Sequence, residues 1–306
     1  MIQAALLHSV SYSGSWGQHA LSLEDFVSKA ADLGYDSVML MAKRPHISVL
    51  DWGPKERATL RTRIEKRNLR AVCIAGYTNF TADLEHSDVP HREIQIQHVT
   101  ELARMAHDLG GNLVRVFTGY ESGAASFDTQ WKIVIDALRE CARRAADFGV
   151  TIGVQNHHDL ANDYQSQYEL IGEIGEPNCK ALFDAWAPAL QGTDLVASAR
   201  KMAPVTVHTT FANYSLRPRF RYLPELVNYE RLTPNVRAVP IDEGFIDYNS
   251  FVRALEDAGF EGTIAYEMCS PLRGGGNLEN LDRYARRFLE FIAPFRLAAA
   301  SPRADL

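Results

Sequence analysis

The chain has 306 residues, 46% hydrophobic and 23% charged, with a formal net charge of −6. That composition belongs to a globular protein with ample core, and the acidic balance excludes the positive surface that nucleic-acid recognition needs. No apolar run reaches membrane length and none after Met1 has the form of a signal core, so a cytoplasmic protein acting on small molecules is expected.

Short apolar runs alternate with amphipathic helical segments from end to end. Gln3 to His8 reads as a first strand. Ser22 to Gly34 reads as a helix opened by a Ser22/Asp25 capping box and stopped by Gly34. Ser37 to Met41, Arg70 to Ala75 and Asn112 to Phe117 read as strands two to four, with helices near 55–66, 92–109 and 129–148 after them. Thr151 to Val154 is the fifth strand, opening directly into Gln155, Asn156, His157, His158 and Asp159. A buried parallel strand that ends in two amides, two imidazoles and a carboxylate marks a polar site. Helix 165–174, strand Lys180 to Phe183, helix 194–202 and strand Val205 to Val207 follow. Asp247 then caps a helix to about Ala258 whose stop is placed at Gly262. Thr263 to Tyr266 is the eighth strand, helix 278–292 comes last, and the tail 298–306 reads as frayed.

Eight strands, each followed by a helix, predict a single (β/α)₈ barrel over residues 1–306. An open doubly wound sheet is disfavoured because no GxGxxG turn follows an early strand. One segment departs from compact βα units. Residues 213–243 form a long irregular insertion rich in Arg, Tyr and Pro, expected on the carboxyl face as a lid or subunit contact. Of the four cysteines, Cys73, Cys179 and Cys269 lie in strand-like runs and Cys141 stands apart. With no CxxC pair among them, buried thiols are expected.

A barrel brings its strand ends onto one face. Gln155, Asp184, His208 and Glu267 each follow three or four apolar residues at the ends of strands five to eight. Two carboxylates, an imidazole and an amide oxygen form a mixed O/N donor set suited to Mn²⁺, Mg²⁺, Co²⁺ or Fe²⁺.

The stretches VQNHHD (154–159), LFDAW (182–186), VHTT (207–210) and YEMCSP (266–271) resemble the xylose isomerase-like barrels. That group holds sugar isomerases, ketose 3-epimerases and an AP-endonuclease branch. The resemblance covers nearly the whole chain. It implies metal ligands at Gln155, Asp184, His208 and Glu267, with manganese as the first expectation and zinc also allowed. The epimerase members have Glu where this chain has Gln155, and a glutamine cannot remove a proton. Two-glutamate epimerisation is thereby reduced to one base, Glu267, and His157 is next in line as a second. By strand alternation His157 shares the side of Gln155 and His158 points away. The AP-endonuclease branch places a histidine three residues after the strand-six Asp, where this chain has Ala187, which argues against DNA repair.

The resemblance implies a metal-dependent enzyme that removes a proton next to the carbonyl of a sugar or keto-sugar, an isomerase or epimerase. Two alternatives remain. One is a lyase-type deglycosidase acting on a 3-oxo-(C-)glycoside, a type that works with a small second subunit. The other is a barrel that binds sugar without catalysis. His8, Arg115, His158, Trp186 and Arg217 are the candidate substrate contacts, and the sequence leaves the oligomeric state open, allowing a homo-oligomer or a hetero-oligomer with a small second subunit. The arginines 217, 219 and 221 sit among aromatics and Pro, which suits a lid better than a nucleic-acid contact. The run Arg273 to Gly276 lacks the partners of a phosphate loop and reads as a tight turn.

Overall fold

The computed structural model describes residues 2–69 and 72–296. Along the chain come β1 (Ile2–His8), α1 (Leu23–Leu33), β2 (Ser37–Met41), α2 (Pro54–Lys66), β3 (Val72–Ala75), α3 (His91–Asp108), β4 (Leu113–Val116) and α4 (Phe127–Ala146). Next are β5 (Thr151–Gln155), α5 (Tyr164–Ile174), β6 (Cys179–Leu182), α6 (Trp186–Gln191), α7 (Leu195–Met202) and β7 (Thr206–Phe211). The chain continues through β8 (Asn213–Leu223), β9 (Asn228–Val239), α8 (Tyr248–Asp257), β10 (Gly262–Tyr266) and α9 (Leu278–Ile292). Strands β1 to β7 and β10 close into a barrel, with β10 between β7 and β1. Every pairing in the ring is parallel. The expected (β/α)₈ barrel is therefore the observed fold. Arg70 and the tail 298–306 lie outside the described residues.

Local chemistry sets the helix ends. Ser22, Ser126, Asp163, Asp194, Asp247 and Asn277 each accept a hydrogen bond from a backbone N–H of the first turn, satisfying donors that an uncapped helix leaves open. One half of the expected capping box forms, Asp25 N–H donating to Ser22 Oγ, while the Ser22 hydroxyl donates to the Asp25 carboxylate. The stop after α8 is Gly259, at φ +81°, and not Gly262, which opens β10. The glycine nearer the helix takes the left-handed position.

Alternation along each strand separates two cores. Outward side chains pack under the helices in one large cluster. Inside the barrel, Ala4, Leu6, Met39, Cys73, Ala75, Leu113, Leu182 and Ala265 form a small apolar layer. Above it, toward the carboxyl ends, the inward positions turn polar: Arg115 on β4, Gln155 on β5, Asp184 just past β6, Thr210 on β7 and Glu267 just past β10. An apolar floor under a polar rim is how a barrel holds a site at its carboxyl face.

Two expectations change here. Strand seven runs on to Phe211, well beyond Val207, so His208 lies within the strand and not at its end. The insertion is not irregular: β8 and β9 pair antiparallel from Asn213↔Val239 to Leu223↔Asn228. Its Arg and Tyr residues alternate along a two-stranded ribbon, and ladder hydrogen bonds replace the irregular backbone that its composition suggested. No helix among the described residues is long and apolar enough to cross a membrane.

Gly76 ties the fold to the site. Its N–H donates to the Arg115 carbonyl at 2.8 Å, and a Cβ there would meet that oxygen at 2.8 Å and Leu102 Cδ1 at 2.8 Å. Gly76→Ala is expected to cost roughly 1–3 kcal/mol through overpacking, read as a lower urea midpoint with an unchanged m-value.

Candidate active site

A cavity of about 360 Å³ opens over the carboxyl face. Its floor carries Arg115, Gln155, Asp184, Thr210 and Glu267, and aromatic walls rise from Tyr77, Tyr120, Trp186 and Tyr214.

Asp184 is the most tightly held of these groups. Its Oδ1 accepts from the Thr210 backbone N–H at 2.6 Å. Its Oδ2 accepts from both the Gln155 amide Nε2 and the Thr210 hydroxyl. Gln155 Nε2 gives its other hydrogen to Thr210 Oγ1 at 3.0 Å. Behind the carboxylate, Asn156 clamps the backbone: Oδ1 accepts from Asp184 N at 2.8 Å and Nδ2 donates to Asp184 O at 3.0 Å. Burial pushes the Asp184 carboxyl above its usual range, opposed by the Thr210 and Gln155 donors and by Arg115.

His208 does not join this group. It is fully buried and stands opposite Leu182 and Thr263 in the ladders, two residues below Thr210. Its Nδ1 bonds Thr263 Oγ1 at 2.6 Å, and burial, with Arg115 nearby, lowers its pKa to about 3. The position facing Asp184 on β7 belongs to Thr210. The expected ligand set of Gln155, Asp184, His208 and Glu267 is therefore not assembled, because the longer strand sinks the histidine one layer. Among the described residues no three His, Cys, Asp or Glu side chains are arranged to hold a metal ion. What remains beside Glu267 is a carboxylate with both oxygens occupied by donors, an amide turned to its nitrogen, and a hydroxyl that donates. That set does not fit a divalent cation, which needs free oxygen or nitrogen lone pairs.

Glu267 is differently placed. Its side chain keeps 19% of its surface on the cavity wall. Burial, with Asp184 nearby, pushes its carboxyl from 4.5 up to about 7. Cys269 Sγ donates to Oε1 at 3.5 Å, and Tyr214 OH lies 3.1 Å from the same sulfur. Cys269 is thus a cavity group and not a core thiol, whereas Cys73, Cys141 and Cys179 are buried. His8 Nδ1 accepts from Val10 N at 3.1 Å, which leaves the proton on Nε2, 3.8 Å from Glu267 Oε2. Burial holds that imidazole neutral, so the pair orients Glu267 without being an ion pair.

Arg115 is 3% exposed. Its guanidinium lies over the rings of Phe117 at 4.0 Å and Tyr77 at 4.7 Å, and its Nε has no hydrogen-bond partner. Lys43 at the rim sits over the other part of Tyr77 at 4.2 Å. Neither cation is in an ion pair among the described residues. Sequence reasoning missed Lys43, Tyr77, Thr210 and Tyr214. Only Thr210, one step of alternation beyond His208, left a signal that could have found it.

The strand ends at Gln155, so alternation does not extend to the histidines. His157 and His158 both line the cavity, their Nδ1 atoms 3.1 Å apart. His158 does not point away: it is buried and stacks on Phe117 and Tyr120 at 4.2 and 4.3 Å. Desolvation lowers both imidazoles to about 4. Trp186 also lines the cavity, its ring 5.9 Å from those of His157 and Tyr214. Arg217 stands apart, exposed on β8 opposite Asn235. The glycine run after β10 serves the loop itself: Asn280 Nδ2 holds the carbonyls of Arg273 and Gly275.

The family model described as xylose isomerase-like TIM barrel matches residues 27–293, and the chain belongs to that family. A 3-dehydroshikimate dehydratase of Bacillus anthracis is 23% identical over 248 residues, 79% of this chain and 85% of that protein. The solved probable 3-DHS dehydratase from the same organism superposes with a TM-score of 0.69 at 19% identity, covering 95% of this chain and 99% of the other. D-psicose 3-epimerase from Clostridium cellulolyticum H10 superposes with a TM-score of 0.72 at 15% identity, over 95% and 99% of the two chains.

The displaced Glu267 pKa makes a stability prediction. Between 4.5 and about 7 the folded protein keeps a proton that the unfolded chain releases, so this contribution is full below 4.5 and lost as pH rises through about 7. Buried histidines slope the other way, so the difference between Glu267→Gln and the parent is the quantity to follow. By urea titration that difference should grow in favour of the variant across this window, reaching on the order of 2–3 kcal/mol. A difference that does not change with pH would show Glu267 titrating normally.

Proposed function

We propose that this family member removes a proton from the carbon next to the carbonyl of a sugar or keto-sugar, with Glu267 as the base. The observation that carries this is the shared cavity of Glu267, poised near neutrality, and the Arg115 guanidinium, buried with an unpartnered Nε. A base serves best when its pKa lies near the working pH, and a preorganised cation beside a carbonyl stabilises the oxygen that becomes negative. Glu267 takes the C–H proton, the C–H electron pair forms the enolate double bond, and the carbonyl π pair moves onto oxygen beside Arg115. The rings of Trp186, Tyr120 and Tyr214 offer flat apolar faces to a sugar ring. The expected metal has no step here, since the donors do not fit one.

From the enolate two outcomes follow: return of a proton gives an isomerase or epimerase, and loss of a β-substituent with its bonding pair gives a lyase. One observation favours the lyase. Asp184 has both oxygens occupied and Gln155 is neutral, so the cavity floor offers one free carboxylate base. That the curated relative is a dehydratase and the structural neighbours include an epimerase is consistent with the shared first step.

The test is a product scan in D₂O with free ketoses and 3-oxo-glycosides, followed by mass spectrometry. Expected are substrate-dependent deuterium uptake or release of an aglycone, a rate that rises as pH passes about 7, and a loss in kcat of at least about 100-fold in Glu267→Gln. A Glu267→Gln protein with parental kcat would overturn the assignment of the base.

We propose that the hairpin is the lid or subunit contact expected of it, with a second copy of this chain as the occupant tested. Its base lines the cavity through Tyr214 and Val236, while Phe220, Tyr222, Leu226, Val227 and Tyr229 expose their apolar surface at the outer end, an arrangement that marks association. Sedimentation velocity is expected to show an oligomer for the parent and a monomer for Phe220→Ser/Tyr229→Ser. A monomeric parent would remove this assignment.

A further inference from the structure

The arrangement around Asp184 carries a conclusion about the cofactor. We infer that protein hydrogen bonds fill the place where the resemblance puts a divalent cation, and that this barrel site is metal-independent. The inference rests on the Asp184 geometry and not on the proposed reaction.

A metal at the rim would need Asp184 and its neighbours on β5 and β7 to turn lone pairs toward a common point. Each is instead committed to another in a closed cycle. Gln155 Nε2 donates to Asp184 Oδ2 and Thr210 Oγ1, and Thr210 Oγ1 donates to Asp184 Oδ2. The Thr210 backbone N–H takes Oδ1. The amide stands with its nitrogen toward Asp184 and Thr210, where it donates to the carboxylate. The three residues come from three neighbouring strands, the same strands whose ends would converge on a cation. Asn156 fixes the backbone of Asp184 from behind, so a main-chain shift that carried the carboxylate to a new position would break two further bonds.

Two residue types account for the change. A carboxylate at position 155 would repel Asp184 unless a cation lay between them, whereas glutamine supplies donors and removes that need. Thr210 is too short to ligate as an imidazole would, and its hydroxyl points at Asp184. The nearest histidine on the strand, His208, is one layer down, with Nδ1 committed to Thr263 and Nε2 buried without a hydrogen-bond partner below the Asp184 cluster. The positive charge that a cation would bring is present instead in Arg115, close enough to lower the pKa values of both Asp184 and Glu267.

The experiment uses the full chain, dialysed without chelator. Metal content is measured by inductively coupled plasma mass spectrometry, and Mn²⁺, Co²⁺ and Zn²⁺ are titrated by calorimetry and thermal melting. The expected result is substoichiometric metal, no saturable heat, and a melting temperature unmoved by Mn²⁺. A stoichiometric metal that is lost in Asp184→Ala would overturn the inference, and one that persists in both Asp184→Ala and Glu267→Ala lies elsewhere and supports it. The double variant Gln155→Glu/Thr210→His should gain stoichiometric Mn²⁺ and a melting temperature raised by it. If that variant keeps the parental circular dichroism and still takes up no Mn²⁺, these two residues are not what closes the site. A parental titration without binding decides the main question by itself, a positive one is read with the variants, and none of these readouts depends on knowing the substrate.

Discussion

The carboxylate of Asp184 is the constraint on which the rest of the site depends. It is buried inside a barrel, where an ionised group is costly unless each oxygen finds a donor. Gln155 and Thr210 provide those donors from the flanking strands, and Asn156 secures the backbone beneath. One charge is thereby shared across β5, β6 and β7, and the floor of the cavity becomes a rigid polar plate. Removing either donor would leave part of the carboxylate unsatisfied in a place that water reaches poorly, which is the expensive kind of loss.

That plate divides labour between two acids of similar location. Asp184 accepts all it can and has little capacity left for a substrate proton. Glu267 has one weak sulfur donor at 3.5 Å and a neutral imidazole at 3.8 Å. The same interior therefore holds one carboxylate as a structural anion and frees the other to exchange a proton. The difference arises from hydrogen-bond count, since both are pushed upward first by burial.

The barrel was legible in the sequence because short continuous apolar runs and helix caps are local signals. Ser22, Asp247 and the run Ser37 to Met41 stand where they were read. The positions of Gln155, Asp184 and Glu267 at the rim were legible for the same reason, each following an apolar run. His208 was misplaced because Thr209, Thr210 and Phe211 extend the strand: threonine is polar in sequence but suits a pleated backbone. His158 was misdirected because alternation was carried past Gln155, where the strand stops and a turn begins. Lys43 and Tyr77 could not be read at all. They reach the cavity from loops after β2 and β3, and only the closed ring brings them beside Arg115. The hairpin was hidden by its Pro and Arg content, which a two-stranded ribbon tolerates because both faces of its outer part are exposed.

Burial also decides which group can be the base. His157 was the natural substitute for a missing glutamate, since a free imidazole titrates near neutrality. Inside this cavity desolvation works in opposite directions on the two chemistries. It disfavours the cation of an imidazole and the anion of a carboxyl group alike. His157 and His158 are therefore driven down to about 4 while Glu267 rises to about 7. Arg115 deepens the first effect and moderates the second. An imidazole with so low a pKa is a weak base at neutral pH, and a carboxylate raised to neutrality is a stronger one than usual. One physical cause thus reverses the order that reference values suggest, leaving the histidines as neutral hydrogen-bonding walls and Glu267 as the base of the proposed reaction.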